Sequence, residues 1–167
     1  MSMTRMPIGK IIAQIAQKNS DRDALVHTEA GRRYSYRDLS HAIDQAARGF
    51  LSLGIGSGDR IALWSTNAPE WMVSFLGLAK IGAITVPIDP AAAKDNLHYI
   101  LEQSESCGLI VAEGSNSNNM LAEASAAQND IACLEHVIVL NHTAGRDQTS
   151  WKDLIAAGEQ ISRIIAF

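Results

Sequence analysis

The segment Asp59–Ile88 reads DRIALWSTNAPEWMVSFLGLAKIGAITVPI, and three structural elements follow from its pattern. The short apolar runs Arg60–Trp64 and Ile84–Pro87 each predict a buried strand. Between them, Ala68–Ile81 is long and apolar enough for a helix, which Gly82 is placed to end. Two strands separated by one helix form a βαβ unit, so we expect these strands to be parallel.

The same alternation continues toward the C-terminus. Helices are predicted at Asp95–Ser104 and Asn119–Gln128, and strands at Leu109–Ala112 and Val137–Leu140. Four strands alternating with three helices predict right-handed crossovers and a largely parallel sheet. Because the strands are short, apolar and β-branched, we expect helices to cover both faces of this sheet.

Two further elements are predicted before the sheet. Ile8–Lys18 carries isoleucines at helical spacing and is typical of an amphipathic helix. Ala24–Thr28 and Arg33–Tyr36 are short β-prone runs separated by a turn, which indicates a hairpin. The predicted fold class is therefore α/β: a largely parallel sheet with helices on both faces, preceded by an N-terminal helix and a short β-hairpin.

Three pairs of polar residues resemble helix-capping boxes. They are Ser35 with Asp38, Asn67 with Glu70, and Ser150 with Asp153. The first pair would open a helix reaching Leu53, the second the helix at Ala68, and the third a helix at Trp151. The apolar end Ile161–Phe167 is expected to continue that last helix or to begin another strand.

Glycine at position 54 is expected to take the left-handed conformation after the helix that ends at Leu53, with Ile55 folding back onto it. The run Gly54–Gly58 resembles a nucleotide-binding glycine loop only in composition. A dinucleotide fingerprint follows a strand and opens a helix, whereas this run follows a helix and opens a strand. We therefore interpret it as a helix-terminating turn.

Composition narrows the function classes. The chain has 167 residues, 47% hydrophobic and 19% charged, which is typical of one soluble, well-packed domain. Its net charge is −4 and its basic residues do not cluster beyond Arg32–Arg33, so nucleic acid is not an expected partner. Neither Met1–Lys10 nor Trp71–Pro87 has the continuous apolar length of a signal peptide or membrane span, so we expect a cytoplasmic location.

Residues that could carry chemistry are sparse. The five histidines never fall at metal-ligand spacing with each other or with a cysteine; they are His27, His41, His98, His136 and His142. Cys107 and Cys133 stand far apart, so we expect two reduced, mostly buried thiols. Asp89 is the one acid placed where open α/β sheets bind ligands, but a turn residue before Pro90 is the simpler interpretation.

Glu70 is a second candidate ligand contact, although a helix-capping role explains it without a ligand. No phosphate-binding P-loop and no nucleophile elbow occurs in the sequence. From the residues alone we assign no catalytic, cofactor-binding or metal-binding position.

Several ordered segments resemble the opening of AMP-forming acyl-CoA synthetases, which are adenylate-forming ligases. They are Tyr36-Arg37-Asp38-Leu39, Gly54-Ile55 leading to Gly58-Asp59-Arg60-Ile61-Ala62-Leu63, Asn67-Ala68-Pro69-Glu70-Trp71, Lys80-Ile81-Gly82-Ala83, Val86-Pro87-Ile88 and Tyr99-Ile100-Leu101 with Ser104. The ordered set covers roughly Ile8 to Leu140. The Asn-x-Pro-Glu-Trp form looks most like fatty acyl-CoA ligases.

The resemblance implies that a longer parent enzyme joins a fatty acid to CoA, using ATP and Mg²⁺, through an acyl-adenylate. In that family the phosphate-binding loop, the acids for Mg²⁺ and ribose, and the lysine of the C-terminal lid come later than this sequence. Residues 1–167 are accordingly expected to be an inactive N-terminal subdomain that holds no cofactor and whose partner is the missing C-terminal part.

Two alternatives remain open at this point. One is a non-catalytic α/β binding or interaction module, and the other is a ligase that loads a carrier protein instead of CoA. If the chain is instead the N-terminal subdomain of a ligase, the apolar face that its missing C-terminal part would cover favours a homodimer.

Overall fold

The sheet and its helices are seen in a computed structural model that describes residues 6–91, 94–112, 120–141 and 144–161. In chain order the elements are α1 (Ile8–Lys18), β1 (Asp23–His27), β2 (Arg32–Ser35), α2 (Tyr36–Ser52), β3 (Arg60–Trp64), α3 (Pro69–Ile81), β4 (Ile84–Ile88), α4 (Lys94–Ser104), β5 (Gly108–Val111), α5 (Met120–Asp130), β6 (His136–Val139), β7 (Thr149–Ser150) and α6 (Trp151–Gln160).

Five of these strands form one parallel sheet in the order β4-β3-β5-β6-β7. The predicted α/β class, the amphipathic N-terminal helix and the antiparallel hairpin β1–β2 are all confirmed. Strand β7 was not predicted from the sequence, because two polar residues carry no strand pattern. The segment Ile161–Phe167 was predicted to continue the last helix or to begin another strand. It falls largely on residues 162–167, which lie outside the described residues.

The order of the strands fixes which face each helix covers. The connection from β3 to β4 runs one way along the sheet, whereas those from β4 to β5 and from β5 to β6 run the other way. Right-handed crossovers must then place α3 on one face and α4 and α5 on the opposite face. The two buried clusters show this division, so helices cover both faces as predicted.

Alternate side chains along β3 pack into the two buried clusters, one on each face of the sheet. On β3, Ile61 and Leu63 pack with α2, α3 and α6, whereas Ala62 and Trp64 pack with α4 and α5. All four side chains have no solvent exposure. A strand buried on both faces needs this continuous apolar run, which is why Arg60–Trp64 is recognisable in the sequence.

Two of the three predicted helix caps are present. Ser35 and Asp38 form a capping box at α2, and the Ser150 hydroxyl accepts from the Asp153 N–H at α6. The Asn67 cap was wrong: Ala68 is the N-cap residue of α3, with no side-chain bond, and Pro69 takes the first helical position. The Asn-x-x-Glu spacing fits a capping box, but the helix begins one residue too late for it.

The predicted end of α2 is confirmed in detail. Gly54 has φ +85°, its N–H donates to Leu51 O, and the Ile55 N–H donates to Phe50 O. These two bonds form a Schellman motif, which satisfies the last carbonyl groups of the helix. Ile55 is buried against the core as its apolar partner.

Candidate functional site

The carboxyl edge of the sheet is where this fold can form a ligand site. Strand β3 connects to β4 on one side and β5 connects to β6 on the other, so the sheet has its switch point between β3 and β5. Open α/β sheets bind ligands in the crevice at that point. Trp64 ends β3 there, fully buried, and its Nε1–H donates to the backbone oxygen of Asp89 at 3.1 Å.

Asp89 lies at this edge but serves a turn. Its side chain is exposed, and Oδ1 accepts the backbone N–H of Ala91 at 2.9 Å. This is an Asx-type bond, in which the side chain replaces a backbone acceptor. The interpretation of Asp89 as a turn residue before Pro90 is confirmed.

Glu70 joins α3 to the hairpin. Its Oε1 accepts from Arg32 Nη1 at 2.5 Å, and Arg32 also donates to the Tyr34 hydroxyl. The Glu70 side chain is 18% exposed and that of Arg32 is 42% exposed. Burial would lower the pKa of Arg32, but the hydrogen bond and charge of Glu70, with a smaller contribution from Tyr34, raise it above its ordinary value. The predicted capping role of Glu70 was therefore wrong.

His27 provides a second polar link between the hairpin and the β3–α3 loop. Its Nδ1 accepts the Ala30 N–H at 3.2 Å, so the neutral ring carries its proton on Nε2. That Nε2–H donates to the backbone oxygen of Asn67 at 3.3 Å. Together with the Arg32–Glu70 pair, this bond holds the hairpin beside the carboxyl edge.

A cavity of about 230 Å³ lies beneath this ion pair. It is lined by side chains of the hairpin, α2, α3 and α6: Arg32, Tyr34, Ala42, Gln45, Glu70, Val73, Trp151 and Ile155. Its charged groups bind each other, and Gln45 Nε2 donates to Glu159 Oε1 at 3.5 Å. The cavity is thus lined by apolar side chains and by polar groups that bond within the protein.

Two more open cavities lie near the same edge. One, of about 290 Å³, is lined by the apolar part of β1 and the start of α3, including Leu25, Val26, Trp71 and Met72. The other, of about 700 Å³, lies beside the start of α6 at the ends of β6 and β7. Neither brings together the residue types that sequence reasoning considered for catalysis.

The Gly54–Gly58 run lies at the opposite, amino edge of the sheet. Gly54 and Ile55 donate their N–H groups to the end of α2, Gly56 N donates to Asp59 Oδ2 at 2.8 Å, and Gly58 N donates to Gly82 O at 3.0 Å. A phosphate cradle needs free N–H groups pointing at the ligand. Four of the five donors are already used, so the helix-terminating interpretation is confirmed.

The described residues form no cluster of metal-ligating side chains. Within residues 6–91, 94–112, 120–141 and 144–161, no three His, Cys, Asp or Glu side chains come together as a metal site. His98 Nε2 is buried without a hydrogen-bond partner, which no sequence signal indicated, and His142 lies outside the described residues.

The cysteines correct another expectation. Both are free, as predicted, but Cys107 is half-buried and Cys133 is exposed, so the thiols are not mostly buried. Burial, with the charge of Asp59, raises the pKa of the Cys107 thiol. None of the helices in the described part of the chain has the length and apolarity that crossing a membrane requires.

Comparison with known proteins identifies the family. The family model described as "AMP-binding enzyme" matches residues 12–160. The chain is 36% identical over 104 residues to YngI of Bacillus subtilis (strain 168), assigned as an acyl-CoA synthetase, and that match covers 62% of this chain and 19% of YngI. It is 38% identical over 99 residues to crotonobetaine/carnitine–CoA ligase of Escherichia coli O1:K1 / APEC, covering 58% of this chain and 19% of that enzyme.

Mouse medium-chain acyl-CoA ligase ACSF2, a mitochondrial protein, is 33% identical over 103 residues, covering 62% of this chain and 17% of that enzyme. The matches therefore span about a fifth of the length of these curated relatives.

Solved structures show the same fold. The anthranilate CoA ligase AuaEII, solved with anthranoyl-AMP, superposes with a TM-score of 0.81 at 24% identity, covering 90% of this chain and 28% of that one. The N-terminal domain of FACL13 from Mycobacterium tuberculosis superposes with a TM-score of 0.68 at 24% identity, covering 93% of this chain and 36% of that one. With the family model matching most of its length, this chain belongs to the AMP-binding enzyme family.

Proposed function

We propose that this chain is the N-terminal part of an ATP-dependent, AMP-forming fatty acid–CoA ligase. The observation that carries the proposal is the family match over residues 12–160, combined with relatives that are named as acyl-CoA or carnitine–CoA ligases and are about five times longer than the matched region. In the reaction, a carboxylate attacks ATP to give acyl-adenylate and pyrophosphate. A CoA thiol then takes the acyl group and releases AMP.

The part described here is proposed to be inactive alone. Adenylation depends on groups that position and neutralise the phosphates in the transition state. The described residues supply neither a free glycine cradle nor a metal-binding cluster, since the donors of Gly54–Gly58 are used within the protein. ATP, Mg²⁺, CoA and the fatty acid are therefore proposed to bind elsewhere in a longer protein, which we expect to be cytoplasmic.

CoA is favoured over a carrier protein as the acyl acceptor. The three curated relatives above differ in the acid that their names give, but all three names refer to CoA. Fatty acid remains the proposed substrate class, because the Asn67–Trp71 segment resembles that of fatty acyl-CoA ligases.

The test measures two proteins with one set of substrates. The chain itself should show no carboxylate-dependent exchange of labelled pyrophosphate into ATP above a blank without protein. The longer protein that contains it should release AMP with octanoate, ATP and CoA. It should release less AMP when carnitine replaces octanoate, or when a carrier protein replaces CoA. Exchange by the chain alone would overturn the inactivity. A longer protein without carboxylate-dependent AMP release would overturn the ligase assignment.

Self-association of the chain alone is a separate proposal. Large apolar side chains remain exposed, among them Ile8 at 47% and Ile84 at 49%. Burying apolar surface contributes about 25 cal/mol per Å², which favours dimers once the cost of association is met. Light scattering over a concentration series should show mass increasing with concentration. A constant monomer mass would contradict the proposal.

A further inference from the structure

The fold brings Cys107 and Cys133 together at the amino edge of the sheet, although they are distant in sequence. Cys107 directly precedes β5, and Cys133 lies in the turn that leads into β6. The backbone N–H of Glu135 donates to the carbonyl oxygens of both residues, at 2.9 Å to Cys107 and 3.1 Å to Cys133. One N–H can reach both only if the two oxygens lie within about 6 Å of each other.

The strand register supports this proximity. Gly108 pairs with His136, so Cys107 comes opposite Glu135 as the strands begin, where neighbouring parallel strands are about 4.8 Å apart. A disulfide joins Cα atoms separated by about 4.4–6.8 Å. Cys133 itself is exposed, but it lies between the buried residues Ile131 and Leu134, so the bond must form with little movement of this turn.

Both thiols can be reached by a small reagent, but they differ in reactivity. Cys133 is exposed, whereas Cys107 is half-buried and its Sγ–H points toward the Arg60 oxygen at 3.7 Å. A thiol is a weak donor, so rotating the Cys107 side chain away from that oxygen costs little. Because burial and Asp59 raise the pKa of Cys107, its thiolate is scarcer and Cys133 is the thiol that reacts first.

We propose that Cys107 and Cys133 form a reversible intramolecular disulfide when the protein meets an oxidised small thiol such as glutathione disulfide. The Cys133 thiolate attacks one sulfur of glutathione disulfide, forming a mixed disulfide and releasing one glutathione thiolate. The Cys107 thiolate then attacks Cys133 Sγ, forming the internal disulfide and releasing the second glutathione. Two protein thiols are oxidised and one glutathione disulfide is reduced to two glutathione molecules.

The bond would join the amino ends of β5 and β6 and close a covalent loop around the β5–α5–β6 crossover. Cross-linking stabilises a fold mainly by restricting the unfolded chain. Oxidation would therefore raise the stability of this half of the sheet, and reduction of the bond by glutathione would reverse the effect. This redox device is independent of the ligase function proposed above.

The test is a redox titration with reduced and oxidised glutathione, followed by acid trapping, intact mass measurement and peptide mapping. The wild-type chain should lose two hydrogens, map to one Cys107–Cys133 linkage, and accumulate no glutathione adduct at equilibrium. Its thermal midpoint should rise on oxidation and return on reduction. The shift should be absent in both single variants.

Two matched variants separate the steps. Cys107→Ser should accumulate a stable glutathione adduct at Cys133, because no second thiol can displace the glutathione. Cys133→Ser should remain largely unmodified over the same time. A wild-type chain that accumulates the Cys133 adduct as Cys107→Ser does, or that does not react at all, would overturn the proposal.

Discussion

Gly49 of α2 and Gly158 of α6 lie against each other where these two helices cross. A methyl group on Gly158 would lie 2.6 Å from the Gly49 nitrogen and 2.8 Å from the Gln45 oxygen, and one on Gly49 would lie 2.6 Å from the Leu154 oxygen. All three atoms belong to the backbone and cannot move aside as a flexible side chain does. This close approach positions α6 so that Trp151, its first residue, lines the cavity beneath the Arg32–Glu70 pair.

The first prediction concerns this crossing. Gly158→Ala should lower the free energy of unfolding by about 2 kcal/mol, because an overpacking cost of about 3 kcal/mol against backbone atoms exceeds the alanine gain of about 1 kcal/mol in a helix. Urea unfolding followed by tryptophan fluorescence measures the change. Gly56→Ala is the control: nothing lies within 4 Å of its added methyl group, so stability should stay within about 0.5 kcal/mol. Equal losses in the two variants would contradict the prediction.

The helices of this crossing could be predicted from sequence, but their contact could not. The capping box at Ser35 and the N-cap bond of Ser150 place the starts of α2 and α6 through local bonds. The pairing of Gly49 with Gly158 depends on how two distant segments pack. A glycine inside each helical pattern was the one available signal, since such a glycine often marks a close approach.

The Arg32–Glu70 pair should contribute more to stability than a fully exposed pair. A double-mutant cycle with Arg32→Gln and Glu70→Gln should give a coupling energy of about 1 kcal/mol, because both groups are partly shielded from water. The Arg33–Asp23 pair is the control, with side chains 65% and 55% exposed, and its coupling should be close to zero. Similar coupling in the two cycles would show that shielding of Arg32 and Glu70 adds nothing.

The capping box at α2 should give an acid-dependent stability. The Ser35 hydroxyl, followed by its backbone N–H, lowers the pKa of the Asp38 carboxyl below its ordinary value. A depressed folded-state pKa stabilises the fold fully above the unfolded value of about 3.9 and loses that contribution as pH falls through the folded value. Ser35→Ala should raise the Asp38 pKa toward its ordinary value and reduce this acid-side loss.

NMR titration of the Asp38 carboxyl, with urea unfolding at pH 3 to 6, measures both effects. Ser150→Ala removes the equivalent cap at α6 and should leave the Asp38 titration unchanged. An Asp38 pKa that is the same in wild type and Ser35→Ala would contradict the role of the hydroxyl.

Asn67 shows where local pattern misleads. Its spacing to Glu70 matches a capping box, yet Ala68 is the N-cap and Glu70 turns to Arg32, a residue of the hairpin. The Glu70 carboxylate thus forms a tertiary ion pair with Arg32 instead of the local capping bond that the pattern predicts. The same long-range packing places His27 on the Asn67 backbone, which no sequence spacing indicates.

Asn67→Ala should accordingly leave stability within about 0.5 kcal/mol of wild type, because the backbone oxygen that binds His27 is kept. Ser150→Ala, which removes a real cap, should cost about 1 kcal/mol. Chemical unfolding of the two variants side by side makes the comparison. A loss at Asn67 equal to that at Ser150 would mean that the Asn67 side chain does cap α3.

The last prediction is a stabilising substitution at Ser74 in the middle of α3. Its side chain has no solvent exposure, and its Oγ has no hydrogen-bond partner. A buried hydroxyl without a partner costs free energy, and alanine also favours a helix more than serine does. Ser74→Ala should therefore raise the free energy of unfolding by about 1 kcal/mol. Ser106→Ala is the matched control, because Ser106 is equally buried but its hydroxyl bonds Ser104 Oγ at 2.7 Å, so its removal should cost about 1 kcal/mol. Thermal and urea unfolding should thus move in opposite directions for the two variants, and a destabilised Ser74→Ala would show that the hydroxyl is satisfied by an ordered water.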